Sequence, residues 1–230
     1  MVKFDKDKFE NFLIKNDIIG FKKEGFKLKS KRMSYWYVNF RNLSRNFENL
    51  SKTASFVVDF LDENVNFADV DGVVGVPQGA SLLGYEVQRQ LVSKRTLQDR
   101  IISPRVKPKD HGDVKNRIFT NGVIPKKIIV VEDVVTTGNS CIDFVDQMEK
   151  EGVKVAYAIA LLDRLQLNLN KTVKEGFRDR RIKYRCLTDG RILSRLGDKY
   201  GKYFISKIKE EFKFEYKNRK DLKIPNIFKT

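Results

Sequence analysis

The chain has 230 residues, 41% of them hydrophobic, which is enough to bury a sizeable core and excludes wholesale disorder. Lysine and arginine number 46 against 30 aspartate and glutamate, so the formal charge is +16. A surplus of this size favours polyanionic partners, such as phosphate-rich substrates or nucleic acid. Two cysteines cannot build a disulfide framework, and a single histidine excludes a multi-histidine metal site.

Neither a leader nor a membrane span is expected. The first 15 residues mix charged and apolar positions throughout, which is not typical of a signal peptide. The longest apolar stretch, residues 155–162, is far too short to cross a bilayer. We therefore expect a soluble, cytoplasmic protein with no membrane partner.

Short apolar runs alternate with amphipathic segments along the middle of the chain. The runs are rich in β-branched residues and predict strands buried on both faces of a sheet, over residues 70–76, 128–135 and 153–162. Apolar residues at helical spacing predict helices over residues 49–63, 81–93 and 140–151. The expected buried stripe of the second helix contains Leu82, Leu83, Val87 and Leu91.

Strand, helix and strand over residues 128–162 form a βαβ unit, which requires a parallel sheet. The sequence therefore predicts a doubly wound, mostly parallel α/β core over about residues 45–165, within a domain of residues 1–170 whose N-terminal 45 residues form a hood segment outside that core. The segment 171–230 has 19 basic and 8 acidic residues, a surplus of 11. We expect it to be a folded basic extension outside the core and packed on the same domain, because apolar residues recur there at helical spacing (Tyr203, Phe204, Ile208, Phe212).

The most informative stretch is IIVVEDVVTTGNS, residues 128–140. Ligands of open α/β sheets bind beyond the carboxyl ends of strands, where this loop leaves its strand and opens a helix. Glu132 and Asp133 would repel a phosphate, so they suit vicinal ribose hydroxyls or a magnesium ion. The following residues offer N–H groups and hydroxyls to a phosphate, namely Thr136, Thr137, Gly138, Asn139 and Ser140. The pattern predicts a sugar-phosphate site; alternatively, the acids only end a strand and Asn139 or Ser140 only caps the helix.

This stretch resembles the phosphoribosyl diphosphate (PRPP) signature of the type I phosphoribosyltransferases, in which a hydrophobic strand leads into acid–Asp–x–x–Thr–x–Gly. Neither GxxxxGK[ST] nor GxGxxG is present, so ordinary NTPase and dinucleotide sites lose their main support. The resemblance implies a catalytic role for Asp133. It also implies that PRPP is bound by Glu132, Asp133, Val134, Val135, Thr136, Thr137, Gly138, Asn139 and Ser140.

A basic loop, RVKPKDHG at residues 105–112, lies upstream. Proline and glycine exclude a helix there, and on charge alone a solvated loop is the ordinary interpretation. The loop is similar to the mobile R-K-x-x-K-D-H-G loop of orotate phosphoribosyltransferases, although Val106 stands where that family usually has lysine. The similarity implies that PRPP contacts Arg105, Lys107, Lys109 and His111, with Lys109 and His111 catalytic. It further implies a homodimer, because the family's loop reaches the neighbouring subunit's site.

Two more segments resemble the orotate enzymes. LKSKRMSYWY at residues 28–37 is similar to L-K-S-G-x-x-S-x-Y, with Lys31 in place of glycine, and Leu162-Asp163-Arg164 is similar to L-D-R. By themselves they would be a basic turn before a core strand and a surface ion pair. The resemblance implies that orotate contacts Lys29, Tyr37, Thr136 and Arg164, with Arg164 meeting its carboxylate. The match to the family's diphosphate turn, at residues 75–81, is the weakest because a lysine is missing.

Together these segments, spanning about residues 20–165, imply an orotate phosphoribosyltransferase. Such an enzyme transfers phosphoribosyl from PRPP to orotate, with Mg²⁺ as cofactor, and yields orotidine 5′-phosphate and pyrophosphate for pyrimidine synthesis. A type I enzyme for another base is the first alternative. The second is a PRPP-sensing regulator that binds nucleic acid, which the basic tail favours and the intact Lys109–His111 loop opposes. We expect no nucleic-acid partner.

Overall fold

The computed structural model describes residues 3–28, 32–68, 70–94, 96–106, 109 and 115–228, with only the backbone at 115 and 116. The helices of this part of the chain are α1 (Lys6–Lys15), α2 (Phe47–Asn64), α3 (Ser81–Ser93), α4 (Lys115–Ile118), α5 (Asn139–Lys150), α6 (Val173–Arg178) and α7 (Gly197–Tyr216). Its strands are β1 (Ile19–Lys27), β2 (Met33–Val38), β3 (Gly72–Gly75), β4 (Lys127–Val135), β5 (Lys154–Asp163) and β6 (Lys183–Asp189). Short 3₁₀ segments cover Phe40–Asn42 and Gly190–Leu196. None of the helices in these ranges is long and apolar enough to cross a membrane.

The central sheet has the strand order β3-β4-β5-β6, and every neighbouring pair is parallel. Val135, Asp163 and Asp189 lie side by side at the carboxyl ends of β4, β5 and β6. The predicted parallel α/β sheet and its first three strands are confirmed. The expectation that everything beyond residue 170 lies outside the core is wrong, because β6 belongs to the sheet. The first half of β6 alternates exposed and partly buried residues, so this strand has no continuous apolar run.

Helices cover both faces of the sheet. Ile129 and Val131 of β4 belong to one apolar cluster with α2 and α3, whereas Ile128 and Val130 belong to a second cluster with α5 and α6. This alternation is what a strand buried on both faces requires. The predicted helices are confirmed, but Leu82 does not join the buried stripe of α3, since it is 55% exposed.

An antiparallel hairpin, β1–β2, lies outside the central sheet and is covered by α7. The ring of Phe204 lies edge-on to that of Phe21, with centroids 4.9 Å apart. Phe204, Ile208 and Phe212 are buried, which confirms the helical spacing predicted for the tail, while Tyr203 stays largely exposed. The C-terminal segment therefore supplies both an edge strand of the sheet and the cover of the N-terminal hairpin.

Candidate active site

The loop between β4 and α5 forms an anion-binding geometry. Gly138 is the N-cap of α5 with φ at +83°, a left-handed conformation that glycine adopts without strain. A Cβ at this position would lie 3.2 Å from a methyl carbon of Val173. No side chain caps the helix, so Asn139 and Ser140 do not have the purely structural role considered above. The first N–H groups of α5 have no partner within the helix and are available to a ligand.

This loop lines a cavity of about 530 Å³. Glu132 and residues 134–141 form one side, Leu28 and Arg32 come from the hairpin region, and residues 167–169 come from the loop after β5. A cavity of this volume accommodates a sugar phosphate and part of a base. A larger cavity of about 990 Å³ lies along the β6 edge, but it contains none of the residues of the β4–α5 loop.

The two acids at the end of β4 differ in their surroundings. Glu132 is 7% exposed, whereas Asp133 is only partly buried. Burial, reinforced by the neighbouring Asp133, raises the pKa of Glu132 to about 9. The backbone N–H of Asp133 donates to Glu132 Oε1 at 3.2 Å. At neutral pH Glu132 therefore keeps a proton that it can donate to a ligand oxygen.

The turn after β3 reaches the same acids. A Cβ on Gly75 would lie 1.8 Å from the Ala80 carbonyl oxygen, so only glycine fits this tight turn. A Cβ on Gly79 would lie 3.3 Å from Asp133 Oδ2. Residues 75–81 matched the family pattern only weakly in sequence, yet the structure brings their turn against Asp133.

Backbone hydrogen bonds hold the basic loop against the residues that follow it. The backbone N–H of Arg105 donates to the Ile118 carbonyl at 2.7 Å, and that of Lys109 donates to the Arg117 carbonyl at 2.9 Å. Arg105 is partly buried and Lys109 is exposed. Lys107 and His111 lie outside the described residues, so their contacts with PRPP stay predictions.

The residues expected to contact orotate are not all brought together. Thr136 lines the cavity. Tyr37 does not, since its ring packs on Gly20, where a Cβ would lie 2.2 Å from the phenol oxygen. Lys29 lies outside the described residues.

Arg164 is buried among protein groups rather than at the cavity. Its side chain is 4% exposed, and Nη2 donates to Ser34 Oγ at 2.7 Å and to the Trp36 carbonyl at 3.0 Å. The guanidinium carbon lies 4.1 Å from the centroid of the Trp36 ring, and Glu211 Oε1 lies 3.8 Å from Nη2. Burial lowers the pKa of Arg164 to about 10. Its contact with the base carboxylate stays a prediction, and in this conformation its charge already faces Glu211.

Sequence reasoning missed Arg32, Glu211 and Glu215. Arg32 lines the cavity, its Nη1 donates to the Leu167 carbonyl at 2.9 Å, and it is paired with Glu215 of α7. Arg32 was hidden within a basic stretch, KSKR. The acids sit in a lysine-rich helix, where their spacing of four residues is equally typical of a solvated face.

Comparison with known proteins identifies the family. A model of the phosphoribosyl transferase domain matches residues 51–185, more than half of the chain. The chain belongs to the phosphoribosyltransferase family. The resemblance to the orotate enzymes of this family is also confirmed, because curated relatives include orotate phosphoribosyltransferases from two archaea. That of Sulfolobus acidocaldarius is 32% identical over 66% of this chain and 72% of its own length. That of Methanocaldococcus jannaschii is 29% identical over 61% and 73%.

A solved structure shows the same fold. The orotate phosphoribosyltransferase from Aeropyrum pernix superposes with a TM-score of 0.61 at 23% identity. The match covers 84% of this chain and 99% of that one. At this identity the likeness shows the fold, and it extends beyond the central sheet to most of the chain.

Proposed function

We propose that this chain is an orotate phosphoribosyltransferase, which converts PRPP and orotate into orotidine 5′-phosphate and pyrophosphate. The observation that supports it most is the β4–α5 loop, which places uncapped N–H groups and hydroxyls around a cavity beside two acids. The curated relatives named above favour orotate as the base.

The reaction forms a bond from the base nitrogen to the anomeric carbon and breaks the bond from that carbon to the diphosphate oxygen. Positive charge develops on the ribose and negative charge on the leaving diphosphate, so catalysis is chiefly electrostatic. Thr136, Thr137 and Ser140, with the first N–H groups of α5, bind the 5′-phosphate. Asp133 accepts from a ribose hydroxyl, while Glu132 donates its proton to the other ribose oxygen.

The departing diphosphate is bound by two loops. The turn at residues 75–81, which touches Asp133, offers backbone N–H groups. Arg105, Lys107, Lys109 and His111 of the basic loop neutralise the diphosphate, and the proline and glycine residues of this loop suit a lid that excludes water.

A magnesium ion fits the donor set. Within the described residues no cluster of three or more His, Cys, Asp or Glu side chains could hold a metal. Mg²⁺ characteristically takes one or two carboxylates and completes its shell with water and substrate phosphates. Asp133, together with oxygens of PRPP, would hold it, and it would neutralise charge on the diphosphate.

We propose a homodimer in which each lid serves the partner's site. Leu82, Tyr85 and Ile101 expose apolar surface, and Tyr85 contacts Ser103 through its hydroxyl, so α3 and residues 101–103 form one continuous face. A second copy of the chain would cover that face. A cytoplasmic location and the absence of a nucleic-acid partner stay predictions.

A panel of bases tests the function. The protein is incubated with PRPP and Mg²⁺ and, separately, with orotate, uracil, adenine, guanine or hypoxanthine, and nucleotide and pyrophosphate are both quantified. We expect turnover with orotate to exceed that with every other base. Turnover of another base without orotate would identify a different type I enzyme. PRPP binding without turnover of any base would favour the regulator.

A further inference from the structure

The larger cavity, of about 990 Å³, lies along the β6 edge and shares no described lining residue with the cavity of the β4–α5 loop. Its walls come from α6, from β6 and from residues 165–166 of the loop after β5. Both ends of β6 line it, at Lys183 and Asp189, so it follows a strand about 20 Å long. A cavity of this volume and length suits an elongated ligand of nucleotide size.

Six basic residues line this cavity, and all six are exposed. They are Lys174, Arg178, Arg181, Lys183, Arg185 and Arg191. Within the described part of the chain, Arg191 is the only one of them in an ion pair, with its Nε 3.5 Å from Asp189 Oδ1. Unpaired cations around one cavity create a positive potential, which favours a ligand with several negative charges.

Neighbouring cations that do not line the cavity are neutralised by the fold. Arg180 donates twice to Asp146, at 2.8 and 3.0 Å. Lys171 lies 2.7 Å from a carboxylate oxygen of Asp179. Both come from the same basic segment as the cations of the cavity. The unpaired charges are therefore concentrated at the cavity and are not a general property of this segment.

Arg181 occupies a backbone position where glycine is usual. It follows α6 with φ at +61°, and its N–H donates to the Arg178 carbonyl while that of Ile182 donates to the Phe177 carbonyl. Helices that end with this pair of hydrogen bonds commonly have glycine at the left-handed residue, because a side chain is strained there. The arginine side chain is thus unfavourable for the backbone, and it forms no ion pair within the described residues.

The carboxyl end of the cavity offers hydrogen-bond acceptors. Gln166 is 4% exposed, and its Oε1 has no partner. Asp189 is 9% exposed; its Oδ1 accepts from the Arg191 N–H at 2.9 Å, and its Oδ2 has no partner among the described residues. Gln166 also borders a smaller cavity beside α7, where glutamates outnumber arginine and disfavour an anion. A buried acceptor without a partner is costly, so these two atoms favour a ligand that donates hydrogen bonds.

The other two acids of the cavity are already satisfied by the protein. Glu175 is paired with Arg219 at 3.0 Å. Asp163 accepts from the Leu165 N–H and from the Tyr184 hydroxyl. The cavity therefore combines unpaired cations with two free acceptors, which matches a ligand that has phosphates at one end and hydroxyl or amino groups at the other.

We propose that the cavity along β6 is a second binding site, which takes a nucleoside triphosphate. Arg178, Arg181 and Lys183, around the amino end of β6, bind the phosphates. Asp189 and Gln166, at the other end, accept from the ribose hydroxyls or from an amino group of the base. A monophosphate is too short to contact both ends, so the length of the strand favours the triphosphate.

Calorimetric titration of the full chain tests the site with ATP, tripolyphosphate and adenosine as separate probes. We expect ATP to bind more tightly than either of its parts, because only ATP contacts both ends of the cavity. Arg178→Gln/Arg181→Gln should weaken ATP binding by about tenfold or more, since charge-assisted contacts with phosphate are lost. Asp189→Asn should weaken ATP binding by about three- to tenfold without weakening tripolyphosphate binding.

Lys171→Gln/Arg180→Gln is the matched control, because it removes the same charge from the same segment at positions outside the cavity. It should leave ATP binding within about twofold of wild type. Arg181→Gly should weaken ATP binding by about threefold or more while its Tm equals or exceeds that of wild type, because glycine relieves the left-handed backbone. Thr136→Ala/Thr137→Ala, in the β4–α5 loop, should leave this ATP site unchanged.

Several results would overturn the proposal. The folded wild-type chain would show no saturable ATP binding at millimolar concentration, or the two double variants of the basic segment would lose affinity equally. A loss confined to Thr136→Ala/Thr137→Ala would place the nucleotide in the β4–α5 cavity, and tripolyphosphate binding as tight as that of ATP would exclude nucleoside recognition. Tighter binding of single-stranded RNA, lost in Arg178→Gln/Arg181→Gln, would make the cavity part of a nucleic-acid surface. These titrations measure binding alone, so their outcome is independent of orotate turnover.

Discussion

The loops after β4 and β5 leave the same edge of the sheet, because Val135 and Asp163 are register partners. Within the described part of the chain, the side chains of Thr136 and Thr137 in the first loop form no hydrogen bond. In the second, Asp163 accepts from the Leu165 N–H at 2.7 Å and from the Tyr184 hydroxyl at 2.9 Å, while Arg164 bonds to Ser34 and Trp36. One loop leaves its polar groups for a ligand, and the other uses them to hold the fold together.

The difference arises from what covers each loop. Glu211 and Glu215 of α7 contact the start of the β5 loop, at Arg164 and Leu167, whereas the whole β4 loop lines a cavity that the β5 loop reaches only with residues 167–169. The position at the carboxyl edge of a parallel sheet is therefore permissive for binding. Whether polar groups there serve a ligand depends on whether another element already satisfies them.

The sharpest test of this difference replaces one carboxylate in each loop by an amide. Asp133→Asn should lower kcat by roughly 1,000-fold or more, because a charge that stabilises the cationic ribose is lost, while thermal stability changes little. Asp163→Asn is the matched control and should leave kcat within about threefold, since its hydrogen bonds serve the fold. Steady-state kinetics and thermal unfolding of both variants decide the point. Equal losses of kcat in the two would show that both loops take part in the chemistry.

Lys109 of the lid should have the next largest effect. We expect Lys109→Ala to lower kcat by about 10- to 100-fold with little change in orotate binding, because the ammonium acts on the departing diphosphate. Single-turnover rates and orotate binding are measured separately. A rise in the orotate KM alone would place Lys109 in base binding.

Mixing Lys109→Ala with Asp133→Asn protein tests whether the lid is shared. Random exchange makes half of the dimers mixed, and each mixed dimer has one intact site, so roughly a quarter of the sites should recover. Re-mixing each variant with itself is the control. No recovery after demonstrated subunit exchange would show that each subunit supplies its own lid.

On the β5 side, the buried acid of α7 should matter to stability. Glu211→Gln leaves Arg164 without its counter-charge and should destabilise the protein by about 2 kcal/mol, which lowers Tm by several degrees. Glu210→Gln, at the adjacent and exposed position, should leave stability nearly unchanged. Chemical and thermal unfolding give both values. Equal stabilities would mean that α7 is not fastened through Arg164.

The two loops also differ in how far the sequence could predict them. In the stretch from Glu132 to Ser140, the end of β4, the glycine and the polar residues follow one another directly. The local sequence pattern was therefore sufficient to predict the binding loop. The surroundings of Arg164 depend on a residue 47 positions later in the chain, and the Tyr35–Glu211 contact joins residues 176 apart. No periodicity within a segment encodes such contacts, so the motif Leu162-Asp163-Arg164 could be recognised while the partner of its arginine could not.

A local pattern also decides which strands of the sheet could be predicted from the sequence. Strands β3, β4 and β5 are buried on both faces and are visible as apolar runs, although β3 is itself an edge strand. At the opposite edge, β6 exposes the charged residues Lys183 and Arg185. Charged residues on an edge strand protect the sheet against unwanted pairing, and they also remove the hydrophobic pattern that predicts a strand. The spacing of aromatic residues predicted that the tail folds, but the sequence pattern did not predict that the tail contributes strand β6 to the sheet.

The smallest expected effect is the pH dependence that Asp163 gives to stability. Burial raises its folded-state pKa to about 6, from an ordinary value of 3.8. The folded state therefore binds this proton more tightly than the unfolded chain, so its contribution to stability is complete below pH 4 and is lost as the pH rises through about 6. Asp163→Asn stays neutral and avoids that loss, so its stability relative to wild type should increase by roughly 2 kcal/mol between pH 4 and pH 7. Asp143→Asn, an exposed change on α5, should give a profile parallel to wild type, and urea unfolding across this range measures all three. Parallel profiles for wild type and Asp163→Asn would mean that Asp163 is ionised in the folded protein at little cost, and the β5 loop would then resemble the β4 loop in keeping a charge for a ligand.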